Sequence, residues 1–377
     1  MNFFLELILL FLTSCVSSYL IMQFGIFGLK KAHILDHPER YPAEWKRAPA
    51  PYGIGIFVFL NFFILSLFVF TNIDLHSIWE RKYYILLILA TCIAIISFID
   101  DLDTIDRSWF SVHPLIRLFF QIFIGAVIGI TSIKISYMSN ILGGFLPGKD
   151  IIELSQWAWH ISDTFTIYWV PLIFTIIWYV LVFNSLNWSD GVPGLTWGLS
   201  VITLIIVAVL SIKLYLIDTS LASQENSKFV LRTLMILIPS VILLTYYDIT
   251  RKGIMGDSGT MFLGFIIATL AIIAGGKIAT ASSVLGIYFI DAIYVIALRI
   301  YNWKNPLKWD KIHHLHYRLM QIGLNTTTIR SFIYTLAFFF WIAAIFLDRI
   351  GKVLLFLLIA IIVIFITKIL TLKKEGK

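Results

Sequence analysis

Only two of the 377 residues are cysteine, Cys15 and Cys92, and both lie inside apolar runs. They make no disulfide framework and no metal-ligand spacing. Charge is scarce too: Asp, Glu, Lys and Arg make up 14% of the chain, where a soluble domain carries ~25%. There is no tandem repeat and no inverted repeat of broken helices, which argues against a secondary transporter. What fills the chain is apolar: 59% hydrophobic residues, 16% aromatic, and a mean hydropathy of +0.89. That excludes a disordered chain and an ordinary soluble enzyme. A net charge of +7 then reads as membrane orientation and contact with anionic lipid, with no nucleic-acid partner.

The expectation is an all-α integral membrane protein, a single polytopic domain over 1–377. The apolar core of a bilayer takes ~20 helical residues to cross. About eleven transmembrane helices follow, near 3–28, 52–71, 83–99, 114–133, 166–186, 195–216, 229–247, 261–276, 280–300, 330–347 and 352–370. Residues 3–28 lack a basic leader and a small-residue cleavage site, so they read as a first span rather than a removable signal. Most of the 29 Lys and Arg fall in odd-numbered loops and the C-terminal tail. The positive side is cytoplasmic, which puts the N-terminus outside and the C-terminus inside. The chemistry-bearing residues share that side: the Asp100–Asp106 run, Asp190, Asp257, and the histidines from His313 to His316. The largest loop on the opposite side, about 134–165, has Trp157, Trp159 and a Gly-Gly-Phe-Leu-Pro-Gly turn, and reads as an interfacial or lid segment.

Four polar clusters stand out. In the first, Asp100 and Asp101 end the third span, with Arg117 and Gln121 one helical turn apart on the next. Paired carboxylates at an interface bind a divalent cation or accept a proton, and Arg117 is placed to hold phosphate; the bland alternative is a solvated acidic loop. In the second, Asn184, Asn187 and Asp190-Gly191 join two spans with almost no loop. They either line a cavity or form a turn with capping asparagines. In the third, Asp257 lies between Gly256 and Gly259 at a helix start. It either holds Mg²⁺ while N–H groups face phosphate oxygens or acts as an N-cap. In the fourth, His313, His314 and His316 with Lys308, Lys311 and Arg318 make a dense, mostly cationic group. Anion or sugar binding suits it better than zinc; contact with lipid headgroups is the alternative.

Two further features complete the set. Pro49, Pro51, Gly53 and Gly55 precede the second span, behind Lys46 and Arg47, and let backbone approach a neighbour. Asp291 sits inside the ninth span, away from the loops. It reads as a structural helix–helix hydrogen bond, although an intramembrane carboxylate is a functional candidate by default.

In this order the clusters resemble the polyprenyl-phosphate N-acetylhexosamine-1-phosphate transferases, glycosyl transferase family 4. The form His314-x-His316-x-Arg318-Leu319 is similar to the branch typified by undecaprenyl-phosphate N-acetylglucosamine-1-phosphate transferases. The resemblance implies transfer of a sugar-1-phosphate from a UDP-sugar to a polyprenyl phosphate such as undecaprenyl phosphate. This is the first membrane step of a cell-envelope glycan pathway, such as lipopolysaccharide or teichoic acid. It implies Asp100, Asp101 and Asp190 as catalytic groups and Asp257 with Asn187 as ligands of Mg²⁺, or of Mn²⁺ in its place. It implies Lys46, Arg117, Asn184, His313, His314, His316 and Arg318 as phosphate and substrate contacts. It places the active site on the cytoplasmic face of the inner membrane. Homodimers are common among such enzymes, though no span here carries a clear interface signature. Pro193 and Ile254 stand where the family usually has an acidic or amide residue and an aromatic, and Tyr317 replaces a histidine. Chemistry residues kept while specificity residues vary imply an active transferase with an unusual donor. A lipid or ion transporter, or a non-catalytic lipid-binding homologue, is the competing reading.

Overall fold

The computed structural model describes residues 2–40, 47–70, 78–106, 113–131, 133–139, 151–162, 165–274, 285–305, 310, 312–347 and 349–374. Lys46 and the Gly-Gly-Phe-Leu-Pro-Gly turn lie outside them. The elements are α1 (Phe3–Lys31), α2 (Ile56–Phe70), α3 (Ile78–Thr104), α4 (Pro114–Ile130), α5 (Trp169–Ser189), α6 (Leu195–Ile217), α7 (Leu221–Ile249), α8 (Asp257–Ile273), α9 (Gly286–Tyr301), α10 (Leu315–Gln321), α11 (Thr326–Phe346) and α12 (Arg349–Lys374). Each of the eleven expected stretches contains helix. Among the described residues, six helices are long and apolar enough to cross a membrane: Phe3–Lys31, Lys82–Thr104, Trp169–Ser189, Leu195–Ile217, Leu221–Ile249 and Thr326–Ala343. The protein is an integral membrane protein. It is not wholly α-helical: the loop expected over 134–165 holds two antiparallel strand pairs, β1 (Tyr137–Ser139) with β2 (Ile151–Glu153) and β3 (Trp159–Ser162) with β4 (Phe165–Ile167). Short strands pair where no apolar helical stripe competes, and β3 leaves Trp159 and Ile161 exposed.

Packing divides the chain into two compact units. The first takes Met1–His113 and Thr196–Ile266. Within it α1 lies along α7, and α2 packs on both. The buried stripe of α1 includes Ser14 and Ser18, whereas Ile8, Leu12, Val16, Phe24 and Phe27 are exposed. That arrangement inverts a soluble amphipathic helix and suits a lipid-facing exterior. The small buried residues let the backbones close up. Ser14 Oγ donates to the Ile236 carbonyl at 2.5 Å, Ser17 Oγ donates to Asn61 Oδ1 at 2.6 Å, and Asn61 Nδ2 donates to Ser240 Oγ at 2.8 Å. The cluster borders Pro239 inside α7. Proline cannot donate to the helix ladder, and the serines supply local bonds there. Glu6 on α1 takes Arg232 Nε at 2.6 Å and Nη2 at 3.1 Å.

The same unit ties the Pro/Gly segment down. Tyr52 forms a parallel bridge with Ile254, Ile254 N donates to Pro51 O at 2.7 Å, and Gly55 N donates to Met255 O at 3.0 Å. A methyl group at Gly55 would collide with the Gly259 backbone, which is why a glycine stands there. Arg47 pairs with the buried Asp36, whose Oδ1 also accepts Ala50 N at 2.7 Å.

The second unit takes Pro114–Leu195 and Ile267–Lys377. Its tightest pair is α4 with α5. Gly125 and Gly129 are four apart, and a methyl group at Gly125 would lie 2.8 Å from Ile176 Cα. This small-xxx-small pattern lets two helices touch backbone to backbone, so the signature missed in the sequence serves packing within the chain. Trp178 Nε1 donates to Ala268 O at 3.1 Å, and Tyr179 shares a 2.6 Å hydroxyl bond with Thr269. Helix α9 packs on α5 and α12, and α10 on α11 and α12.

Candidate active site

In the first unit the last turns of α3 carry Asp100 and Asp101, both buried. Asp101 does not sit in a hydrated acidic loop. Its Oδ1 accepts Asp257 N at 2.5 Å and its Oδ2 accepts Ser258 N at 3.1 Å. The first turn of a helix has N–H groups with no internal partner, and a carboxylate there satisfies them and complements the dipole. Asp101 is therefore the cap of α8. Two glycines make room for it: Gly256 at φ +75°, where any side chain would strike its carboxylate, and Gly53 at φ +77°, where a methyl group would lie 3.1 Å from Oδ2. These left-handed backbones favour glycine.

Two expectations narrow as a result. The sequence reads Asp101 as one of a carboxylate pair that binds a cation or accepts a proton, and here its two oxygens accept two backbone N–H groups. Of the two readings of the α8 start, N–H groups facing phosphate or a capped end, the structure shows a cap, with Asp257 N and Ser258 N both turned to Asp101. Asp257 is not the cap but the first helical residue, half-buried. Its carboxylate lies within repulsive range of that of Asp101. A hard divalent cation relieves such repulsion, and Mg²⁺ uses one or two carboxylates together with substrate phosphates. Among the described residues no group of three or more His, Cys, Asp or Glu could hold a metal. The oxygen chemistry of Asp257 thus fits Mg²⁺ completed by a phosphorylated substrate, not a closed protein cage.

In the second unit, Asn184 Nδ2 donates to Gln121 Oε1 at 2.6 Å and to Val180 O at 2.8 Å. Its amide group bonds α5 to α4, where a substrate contact was expected. Arg117 is half-buried one turn before Gln121 on α4. Asn187 lies on the last turn of α5, and Asp190 is the C-cap, both half-buried. The turn after it is braced by α11: Arg330 Nη1 donates to Pro193 O at 2.9 Å, and the Tyr334 hydroxyl donates to Gly194 O. Gly191 packs directly under the His316 ring, and a side chain there would overlap the ring.

The histidine segment is organised by two aspartates. Asp310 accepts Ile312 N and His313 N at 2.8 Å each, His313 Nδ1 at 2.7 Å and Arg299 Nε at 3.0 Å. Burial works to raise its pKa, but these bonds outweigh it and hold the carboxyl well below the usual range. Asp291 accepts His314 Nδ1 and Leu315 N, each at 2.8 Å. Its bond is to the histidine segment, contrary to the expected helix–helix bond away from the loops. Position 291 lies in the second turn of α9, so distance along the chain misplaced it. His314 and His316 stack, centroids 5.9 Å apart at 12°, and Trp188 lies 5.8 Å from His314. His316 is 1% exposed and both its ring nitrogens are unpartnered. Burial, then the neighbouring His314, push its pKa down to about 3. Burial thus keeps this one ring neutral at physiological pH. Arg318 donates through Nε to His313 O at 2.8 Å, and its guanidinium lies 5.8 Å from the Tyr294 ring.

Sequence reasoning missed Asp310, Arg330, Tyr334 and the link from Asp291 to His314. Asp310 had a readable signal, an aspartate three residues before His313; the others depend on contacts between distant segments.

The profile of glycosyl transferase family 4 matches residues 83–275. The chain belongs to that family. Over 342 residues, 89% of this chain and 83% of the relative, it is 25% identical to the probable undecaprenyl-phosphate N-acetylglucosaminyl 1-phosphate transferase of Bacillus subtilis (strain 168). It is 24% identical to the phospho-N-acetylmuramoyl-pentapeptide-transferase of Prochlorococcus marinus (strain MIT 9312), over 72% of this chain and 69% of that one. It is also 24% identical to the enzyme of the same name from Borrelia hermsii (strain HS1 / DAH), over 78% and 80%.

Proposed function

We propose that the chain transfers an N-acetylhexosamine-1-phosphate, or a related sugar-1-phosphate, from a UDP-sugar to a polyprenyl phosphate such as undecaprenyl phosphate. The products are a polyprenyl-diphosphate sugar and UMP. A phosphate oxygen of the lipid attacks the sugar-bearing phosphorus, a P–O bond forms, and the bond to UMP breaks. The observation that carries this reading is the half-buried Asp257, placed by the Asp101 cap on the first turn of α8. The family match and the names of the relatives support it.

Both reactants are anionic, so the site must neutralise developing charge. Asp257 would hold Mg²⁺, or Mn²⁺ in its place, which would supply that neutralisation, and the family resemblance adds Asn187 as a ligand. Asp100 takes the proton of the lipid phosphate or holds that group in line. Asp101 acts from behind by fixing the α8 start, and Asp190 supports the polar turn beside His316. Arg117 and Lys46 clamp phosphate. His314 and the neutral His316 meet sugar hydroxyls or phosphate oxygens, and His313 with Arg318 shapes that segment. The polyprenyl tail lies among the spans, and the asymmetry of Lys and Arg along the sequence supports a site at the cytoplasmic face of the inner membrane.

The test is UMP release by protein in detergent with undecaprenyl phosphate, Mg²⁺ and a panel of nucleotide sugars, with and without chelator. Release that needs the lipid and stops with chelator supports the proposal. Folded protein that releases no nucleoside monophosphate from any donor overturns it.

A further inference from the structure

We propose that Asp291 is a positioning residue: it fixes the proton on His314 Nδ1, leaving Nε2 as the ring atom that meets substrate. The inference rests on the reading of His314 as a substrate group. Both side chains are nearly sealed, Asp291 at 3% exposure and His314 at 2%. The carboxylate cannot swivel freely, because Oδ1 accepts Leu315 N at 2.8 Å while Oδ2 takes His314 Nδ1 at 2.8 Å. An ionised carboxylate only accepts hydrogen bonds. The Nδ1 facing it therefore carries the proton, whether the ring is neutral or cationic. Trp188 and the stacked His316, with centroids 5.8 Å and 5.9 Å from that of His314, neighbour the ring. The buried ring next to it, His316, has no partner for either nitrogen and nothing that selects its tautomer. Of the two stacked histidines, only His314 is provided with an orienting carboxylate. A carboxylate behind an imidazole sets which nitrogen acts and how basic it is, and where the imidazole is a metal ligand losing such a partner costs ~10- to 100-fold.

The competing role is purely structural: Asp291 anchoring the start of α10 through Leu315 N. Asp291→Asn separates the two. The amide oxygen still accepts from Leu315, but its NH₂ now faces Nδ1 and favours the opposite tautomer. The first arm is a cycle of Asp291→Asn, His314→Gln and the double variant, reading UMP release from UDP-N-acetylglucosamine with undecaprenyl phosphate and Mg²⁺. The expected result is a ~10- to 100-fold loss of kcat for Asp291→Asn at a Tm near wild type, with no further loss when His314 is already Gln. The same fold loss in both backgrounds overturns the proposal. The second arm needs no turnover: nitrogen NMR of the wild-type protein labelled at histidine, with His314 assigned from His314→Gln. A protonated Nδ1 supports the proposal, and a bare Nδ1 with a protonated Nε2 overturns it. If the wild type transfers no sugar phosphate, the activity reading fails alone, and the ring's protonation still decides this one.

Discussion

Asp101 and Asp257 lie close together and carry opposite duties. Asp101 satisfies two backbone donors at the α8 start, so Asp101→Ala leaves buried N–H groups unpaired at a cost of ~1–3 kcal/mol each. The expected outcome is a clear fall in Tm. Asp257→Asn removes a carboxylate that repels Asp101, so Tm should hold or rise while UMP release is abolished. Thermal melts beside turnover read both effects. Retained turnover in Asp257→Asn removes Asp257 from the cation role. His316 gives a pH prediction. Its folded pKa is pushed down to about 3 from 6.5, so below ~6.5 the unfolded chain binds a proton that the folded chain refuses. Stability is full above that value and declines as pH falls toward about 3, by up to about 1.4 kcal/mol per pH unit. His316→Gln should flatten this acid limb in melts from pH 7 to pH 5; an unchanged slope counts against a buried neutral ring. At this scale the sequence displayed the polar residues but not their partners. Asp101 was visible as a carboxylate, yet its bond spans 156 residues to Asp257, and no local pattern announces that.

At the scale of elements, helices were legible because apolar runs of this length have few other solutions in a bilayer. The Pro/Gly segment was also legible as a place of close backbone approach, though not its partner, the Gly253–Gly259 stretch. The strand pairs beyond α4 were not legible, since their side chains are mixed and exposed. The α4–α5 contact supports a mutational test. Gly125 meets the Ile176 backbone, and overpacking of a close contact costs ~1–3 kcal/mol. Gly125→Leu should lower Tm by several degrees. Gly28, beside which nothing lies within 4 Å of an added methyl group, serves as the control: Gly28→Ala should leave Tm unchanged or slightly raised, since alanine favours helix.

For the whole molecule, the basic-residue asymmetry makes a prediction about sidedness. The α6–α7 connection should face outward, and the α9 end should face the cytoplasm. With Cys15 and Cys92 replaced by serine, a membrane-impermeant thiol reagent added to intact cells should label Thr219→Cys and spare Trp303→Cys; both positions are exposed. The reverse pattern inverts the topology and moves the proposed chemistry to the other face. The helical stretches and their order were readable from hydropathy. The division into two compact units was not, because each unit is assembled from segments far apart in the chain.

The Asp101 cap also has a consequence for biogenesis. As the chain is made, α3 emerges with two carboxylates at its end, while the N–H groups that seal one of them are still more than 150 residues from synthesis. Through that interval Asp101 must stay hydrated, because an unpartnered carboxylate is expensive inside hydrocarbon. The end of α3 is thereby pinned at the water boundary until α8 arrives. The residue that later seals the start of α8 first acts as a depth gauge for the helix before it.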